Sequence, residues 1–104
     1  RAKYKRYPSY YSAQNYDAAM LMASAVEAVK GDLSDKEAVR AALRKADFRS
    51  VRGKFKFNHN HIPIADIYLQ KVVADDSGAY TQTMLEVVLK DSVDPYHDKC
   101  PMQF

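Results

Sequence analysis

The sequence predicts a mixed α/β fold in which two helices are followed by a short strand and a β-hairpin. Three observations indicate this order. Strong helix formers fill residues 18–30, an amphipathic stretch follows from residue 34, and the apolar period changes to two after Phe48. Two helices and one hairpin do not enclose a hydrophobic core by themselves. We therefore expect this α/β unit to need apolar contacts from elsewhere.

The first predicted helix has apolar side chains on nearly every face. Its helix formers run from Ala18 to Lys30, and Gly31 is a favourable residue for ending a helix. Residues 18–23 are all apolar, and further alanines and valines continue on several faces. Because a helix of this kind is buried on most sides, we expect an upstream part of the same protein or a second copy to cover it.

The second predicted helix has a capping signal and one apolar face. Ser34 and Glu37 form the S-x-x-E pattern of a capping box, in which each side chain accepts a hydrogen bond from a backbone N–H at the helix start. The apolar face consists of Val39, Ala42, Leu43 and Ala46. A solvated, largely opposite face carries Arg40, Arg44 and Lys45.

Three strand patterns follow the helices. Residues 51–57 alternate as in a half-buried strand, and residues 64–75 and 80–91 are two further strand-like runs. The link DDSG contains a glycine and has the length of a hairpin loop. The tail after residue 91 has two prolines and no periodicity, so we expect an extended or looping end. In the first pattern, Val51, Gly53, Phe55 and Phe57 alternate with Arg52, Lys54 and Lys56.

Composition and charge exclude several classes of protein. The 104 residues allow one domain at most, and no run approaches about 18 uninterrupted apolar residues, so no membrane-spanning segment is expected. The net charge of +3 is mild and dispersed, which argues against nucleic acid as a partner. Cys100 is the only cysteine, which leaves no internal disulfide. The abrupt start at RAKYKRYP, without methionine or signal peptide, predicts that an upstream part has been removed.

The histidines of FNHNHIPI favour a turn over a metal site. Strand alternation would place His59 and His61 on one face, but zinc takes three or four ligands, and the remaining His97 and Cys100 lack the spacing of a zinc module. The neighbouring asparagines and a proline are typical of a turn. A pair of His97 and Cys100 in a loose tail is a poor nucleophile site. We expect no metal, no cofactor and no catalytic residue, and we interpret scattered carboxylates such as Asp17 as surface charges or caps.

The N-terminal segment from Tyr4 to Tyr16 combines tyrosines with cations and allows three interpretations. Such residues stack on bases and contact phosphates, which would suit a small basic-aromatic module that binds nucleic acid or protein. Tyrosines also line apolar pockets and offer a hydroxyl for specificity. They pack equally well against the start of a helix. The residues alone leave these alternatives open.

The order of these features resembles the C-terminal portion of type I periplasmic solute-binding proteins, and more narrowly the branched-chain amino acid receptors of ABC importers. The resemblance covers nearly all of the chain. It is carried by Tyr16-Asp17-Ala18 in the long helix, by residues 39–43 of the second helix, by Phe48, and by the turn and strand at residues 51–58. No single motif is decisive, but their order and spacing together are fairly specific.

The resemblance implies a C-terminal fragment of a two-lobed fold that closes on a small solute. Residues 1–63, with a helix from about Ser9, would end the first lobe, and residues 64–104 would supply the crossover, the hairpin and the C-terminal tail of the second lobe. The implied function is non-catalytic capture, in the periplasm, of a small hydrophobic carboxylate for delivery to a membrane ABC permease. The solute would be a branched-chain amino acid or an aromatic acid. The tail is similar to that of family members that take up aromatic acids, through Asp94, Tyr96, Cys100 and Met102.

The resemblance also implies where solute contacts lie. The family places a residue that lines the solute's side chain at the start of the long helix, so Tyr11 is the first candidate and Tyr10, Gln14 and Asn15 are the others. A tyrosine at this position can stack on a ring and also donate a hydrogen bond. The family's main anchors for the solute's carboxylate and ammonium lie upstream, in segments that this chain lacks.

Overall fold

The computed structural model describes residues 3–102, so the outermost ends of the two predicted portions, residues 1–2 and 103–104, lie outside the described residues. The predicted order of helices, short strand and hairpin is confirmed. The elements are α1 (Tyr10–Ala28), α2 (Lys36–Lys45), β1 (Lys56–Phe57), β2 (Pro63–Ala74), β3 (Tyr80–Ser92) and a 3₁₀ turn (His97–Lys99). Within residues 3–102, no helix is both long enough and apolar enough to cross a membrane.

Helix α1 begins before its run of strong helix formers. Ser9 is the N-cap, and its hydroxyl accepts a hydrogen bond from the Ser12 N–H while the Ser12 hydroxyl accepts one from the Ser9 N–H. This reciprocal pair satisfies two backbone donors at the helix start, and it agrees with the boundary near Ser9 that the resemblance implied. At the other end, the Gly31 N–H donates to the Val26 carbonyl at 2.9 Å with Gly31 at a φ of 80°, which confirms the predicted stop.

The N-cap of helix α2 lies one residue after the predicted cap. Asp35 is the N-cap, and its carboxylate accepts hydrogen bonds from the N–H groups of Glu37 and Ala38, both at 3.0 Å. The predicted capping box of Ser34 and Glu37 is therefore wrong, because the Ser34 hydroxyl is engaged by Asp32 at 2.7 Å. The predicted apolar face is confirmed, with Ala46 at its end buried.

The predicted strand at residues 51–57 is mostly a turn. Only Lys56 and Phe57 form β1, and residues 51–54 turn with Gly53 at a φ of 101°. The apolar residues that alternate in this segment do not form one face of a sheet; the phenylalanines among them form a contact between aromatic rings. Phe55 packs against both Phe48 and Phe57 with ring centroids 5.1 Å apart in each pair.

The three strands form one antiparallel sheet in the order β1–β2–β3. The FNHNHIPI segment is a turn between β1 and β2, as predicted, since the Asn58 N–H donates to the Ile62 carbonyl and the His61 N–H to the Asn58 carbonyl, both at 2.9 Å. The predicted hairpin of β2 and β3 is also confirmed, with Gly78 at a φ of 77° in its loop. Three register shifts lie along β2 between Ala65 and Gln70, and irregularities of this kind increase local twist.

The described chain is flat and encloses no large core. Its radius of gyration is 17.1 Å and its extents are 51 × 35 × 15 Å, whereas a compact domain of about 100 residues has a radius of gyration of about 13 Å. Among the described residues the buried apolar side chains are Ala25 and Ala46, and no large side chain is fully buried. The helices therefore pack on each other, while most of the hairpin remains open to solvent.

Gly53→Ala is expected to lower the free energy of unfolding by about 1–3 kcal/mol, since side chains are strained at this positive φ. The new Cβ would also lie 3.4 Å from the Tyr68 hydroxyl. Urea denaturation measures the loss, with Gly78→Asn as the control. Gly78 has open space around it, and asparagine tolerates left-handed backbone. A Gly53→Ala variant as stable as the control would show that the turn carries no strain.

Candidate functional site

A buried carboxylate joins α1 to the connection between α2 and β1. Asp17 is only 2% exposed. Its Oδ2 accepts hydrogen bonds from the Ser50 hydroxyl at 2.6 Å and from Arg52 Nε at 2.8 Å, and its Oδ1 accepts one from the Val51 N–H at 2.9 Å. The prediction that Asp17 is a surface charge or cap is therefore wrong, because donors from a distant turn surround it.

These donors keep Asp17 charged. Burial by itself raises the pKa of Asp17, but the hydrogen bonds from Ser50, Arg52 and Val51, together with the positive charge of Arg52, outweigh burial and hold the pKa below its ordinary value. The ion pair with Arg52 is largely sheltered from water, since the Arg52 side chain is 27% exposed. This group is therefore an anion at neutral pH with a fixed set of partners.

A small groove lies beside this ion pair. It has a volume of about 170 Å³ and runs between the inner face of α1 and the aromatic side chains that precede β1. Its apolar lining is Ala18, Leu21, Phe48, Phe55 and Pro63, and its polar lining is Gln14, Asp17 and Arg52. Apolar walls with a few polar groups are the usual composition of a small-molecule site, and this groove is smaller than the pockets of about 300–1,000 Å³ that hold drug-sized ligands.

One of the four predicted contact residues at the start of α1 lines the groove. Gln14 is half-buried and lines the groove. Tyr10 and Tyr11 are exposed and pack edge to face, with ring centroids 6.0 Å apart. The Asn15 side chain is also exposed and donates to the Tyr11 carbonyl at 2.8 Å. Gln14 is three residues after Tyr11, so the two are neighbours on the helix surface.

The His59 side chain belongs to a contact between the β1–β2 turn and the C-terminal tail. Its Nδ1 lies 2.8 Å from the Met102 carbonyl and must carry the proton, because a carbonyl only accepts. Its ring packs edge to face on that of His97 with centroids 5.6 Å apart. Beside it, the buried Asn60 donates to Asp94 at 2.9 Å. Across residues 3–102 no group of three or more histidines, cysteines or carboxylates could hold a metal ion.

Another long-range hydrogen bond ties the segment before α1 to the hairpin loop. The Tyr7 hydroxyl donates to Asp75 Oδ2 at 2.7 Å. The other oxygen of Asp75 accepts from the Ser77 N–H, the Ser77 hydroxyl and the Ala79 N–H. Asp75 is therefore the residue that closes the loop and also holds the N-terminal segment against it.

The sequence reasoning missed Asp17 and Arg52. One signal was present, since Asp17 is a single carboxylate directly before the apolar run at residues 18–23. A carboxylate beside a buried run has to find donors. Nothing in the local pattern identified those donors, because Ser50, Val51 and Arg52 are 33 to 35 residues away along the chain.

Comparison with known proteins identifies a family for most of the chain. A family model described as periplasmic binding protein matches residues 1–79, which end in the hairpin loop before β3. No curated protein and no solved structure matches this sequence.

Asp17→Asn is expected to lower the free energy of unfolding at pH 7 by about 3 kcal/mol, the scale for breaking one side of a buried ion pair. The pKa of Asp17 is depressed in the folded protein, so its charge stabilises the fold above the unfolded pKa. That contribution is lost as the pH falls through the folded pKa. The difference between wild type and variant should therefore be full at pH 7 and shrink below about pH 4, near the ordinary pKa of aspartate.

Urea denaturation at a series of pH values measures this difference. Asp76→Asn is the matched control, because Asp76 is exposed in the hairpin loop, and surface substitutions change stability by only about 0.5 kcal/mol. A loss of stability that is the same at pH 3 and pH 7 would contradict the electrostatic role of Asp17.

Proposed function

The chain belongs to the periplasmic binding protein family, and we propose that it is the C-terminal part of a two-lobed receptor that captures a small hydrophobic carboxylate for an ABC importer. The observation that carries this proposal is the family match over residues 1–79. The family is non-enzymatic, so the chain is not an enzyme. Solute binding for transport is the activity that the family suggests, while the solute and the extent of the receptor are parts of our proposal.

The shape of the chain supports its assignment as part of a larger receptor. The outer face of α1 presents Tyr11, Met22 and Val26 to solvent, and the hairpin exposes large apolar side chains along both strands. Exposed apolar surface on this scale marks an interaction site. The proposed occupant is the remaining polypeptide, with residues 1–63 completing one lobe and residues 64–104 contributing to the other. A second copy of the chain is the competing occupant.

The proposed solute is a branched-chain amino acid or an aromatic acid. Tyr10 and Tyr11 offer exposed rings at the start of α1, and Gln14 offers an amide in the adjacent groove. Stacking on tyrosine suits an aromatic ring, and the apolar lining suits a branched side chain equally well. Asn15 is the weakest of the four contacts, because its side-chain amide already donates to the backbone of α1.

The proposed place of action is the periplasm, with a membrane ABC permease as the receiving partner. Hinge closure brings two lobes together around a bound solute. The closed pair of lobes would then be the form of the receptor that the permease binds. The proposed function requires no nucleic acid and no cofactor.

Met22→Glu is expected to destabilise the full-length protein if the rest of the receptor covers the outer face of α1. Burying a charge without a partner should cost at least about 2 kcal/mol. The control is Ala38→Glu at an exposed position of α2, which should change the free energy of unfolding by about 0.5 kcal/mol or less. Equal stability of the two variants in urea would show that this face of α1 remains in water, and the two-lobed assignment would fail.

Solute capture is tested by calorimetry on the full-length protein with a panel of branched-chain amino acids and aromatic acids. At least one member of the panel should bind and raise the melting temperature. Tyr11→Ala should weaken that binding by about 1–3 kcal/mol with the fold retained, the scale of truncating an aromatic anchor. Tyr16→Ala, which removes a similarly exposed tyrosine from another face of α1, is the control and should leave affinity unchanged.

Two results would contradict this proposal. A protein that binds no solute but binds DNA or RNA with an affinity that falls steeply with salt would be a nucleic-acid module instead. A Tyr11→Ala variant with unchanged affinity and lowered stability would make Tyr11 a packing residue and remove it from the solute site.

A further inference from the structure

The guanidinium of Arg52 is oriented but only partly used. It donates from Nε to Asp17 at 2.8 Å and lies over the Phe55 ring at 5.7 Å from its centroid. An arginine has five N–H donors, and the two terminal amino groups of Arg52 donate to no residue within 3–102. The hydrogen bond to Asp17 uses one N–H donor of Arg52 and fixes the plane of the guanidinium. The other four N–H donors of Arg52 donate to none of the described residues.

The two terminal amino groups of Arg52 have the arrangement of donors that binds a second carboxylate. Arginine binds a carboxylate through two parallel N–H donors, and this geometry is strongest where the arginine is already held in place. Asp17 engages Arg52 through Nε alone and takes its other hydrogen bonds from Ser50 and Val51. The pairing of Arg52 with Asp17 accordingly leaves the terminal pair of amino groups open. A role confined to holding Asp17 accounts for only one of the five donors.

Apolar surface for the rest of an acid lies beside this arginine. Arg52 lines the same 170 Å³ groove as Leu21, Phe48 and Phe55. A groove of this volume accommodates a small molecule or one end of a larger one, since pockets for drug-sized ligands are about 300–1,000 Å³. Gln14 contributes the remaining amide on the α1 side. The groove therefore offers one cation with free donors, one amide and an apolar wall. The Asp17 carboxylate also lines it, but both of its oxygens already accept hydrogen bonds from the turn that carries Arg52.

We propose that this groove binds the carboxylate of a small apolar acid through the terminal amino groups of Arg52, with the apolar part of the acid against Leu21, Phe48 and Phe55. The inference rests on the proposed function for the class of solute and names a carboxylate anchor within this chain. Asp17 acts as a positioning residue that orients the guanidinium and does not touch the acid. The Arg52 site is separate from the exposed ring of Tyr11. Gln14 lines the groove and is also a neighbour of Tyr11 on the surface of α1.

The experiment uses benzoate as the probe and benzamide as its uncharged counterpart of the same shape. We expect wild-type protein to bind benzoate saturably, with the NMR signal of the Arg52 Nε–H and the side-chain amide signals of Gln14 shifting together. Benzamide should bind at least about tenfold more weakly, because it lacks the charge that a bidentate pair requires. This comparison needs no variant, so it decides the proposal even if substitutions impair folding.

Arg52→Lys tests the anchor directly. Lysine keeps the positive charge and can still reach Asp17, but it lacks the planar pair of donors, so benzoate affinity should fall about tenfold or more. Lys54→Gln is the matched control, because it removes an exposed charge from the same turn and should leave affinity unchanged. A loss of affinity in Lys54→Gln with full affinity in Arg52→Lys would indicate general electrostatic attraction and overturn the proposal.

The outcomes separate this inference from the function on which it rests. If an acid of the solute panel binds while Arg52→Lys retains full affinity for benzoate, or benzamide binds as well as benzoate, the Arg52 site is wrong and solute capture stands. If benzoate shifts signals remote from Arg52, the carboxylate is held elsewhere and the site is again wrong. If wild-type protein binds neither benzoate nor any acid of the panel, both proposals fail.

Discussion

The interaction on which the helical half of this protein depends is the buried carboxylate of Asp17. An isolated charge in an apolar environment is very costly, and it becomes tolerable only when several donors surround it. Here the Ser50 hydroxyl, the Val51 N–H and Arg52 Nε all donate to it. Because all three come from one turn, the carboxylate fixes the position of α1 relative to the connection between α2 and β1. It also fixes the guanidinium of Arg52 beside the groove.

A second constraint is the small amount of apolar surface that the chain buries by itself. Among the described residues only the small apolar side chains of Ala25 and Ala46 are buried, while larger apolar side chains stay exposed on α1 and along the hairpin. Hydrophobic burial is the main favourable contribution to folding, so a flat chain of this kind relies more on specific polar contacts and on surfaces outside itself. Under our proposal of a two-lobed receptor, the remaining polypeptide covers that open surface.

Two further long-range polar contacts follow the same logic. Asp75 ties the hairpin loop to Tyr7, and Asn60 ties the β1–β2 turn to Asp94 in the tail. Each contact holds a segment that local structure alone leaves free. Hydrogen bonds between partly buried polar groups give modest stability and strong geometric definition. This is how an open, flat chain keeps one arrangement of its loops.

The sequence alone determined the features that depend on neighbours within a few residues. The order of helices and strands, the stop near Gly31, the turn at Asn58 to Ile62 and the hairpin all follow from periodicity and turn chemistry. Local signals failed at two places, one of them because a distant group intervened. Residues 51–57 have the alternation of a strand, but a turn forms because the Val51 N–H donates to Asp17. Ser34 was the better cap by pattern, but Asp32 engages its hydroxyl and Asp35 caps α2.

The tertiary structure decided the candidate site. Gln14 was predicted from its place at the start of the helix, and the fold turns it into the groove, while Tyr11 and Asn15 face outward. In the sequence, Arg52 and Phe55 fit the alternation of a strand. In the fold, the guanidinium of Arg52 instead lies over the Phe55 ring in a fixed orientation. No local pattern contains this information, because the carboxylate that orients Arg52 is 35 residues away and meets it only after α1 packs beside the turn.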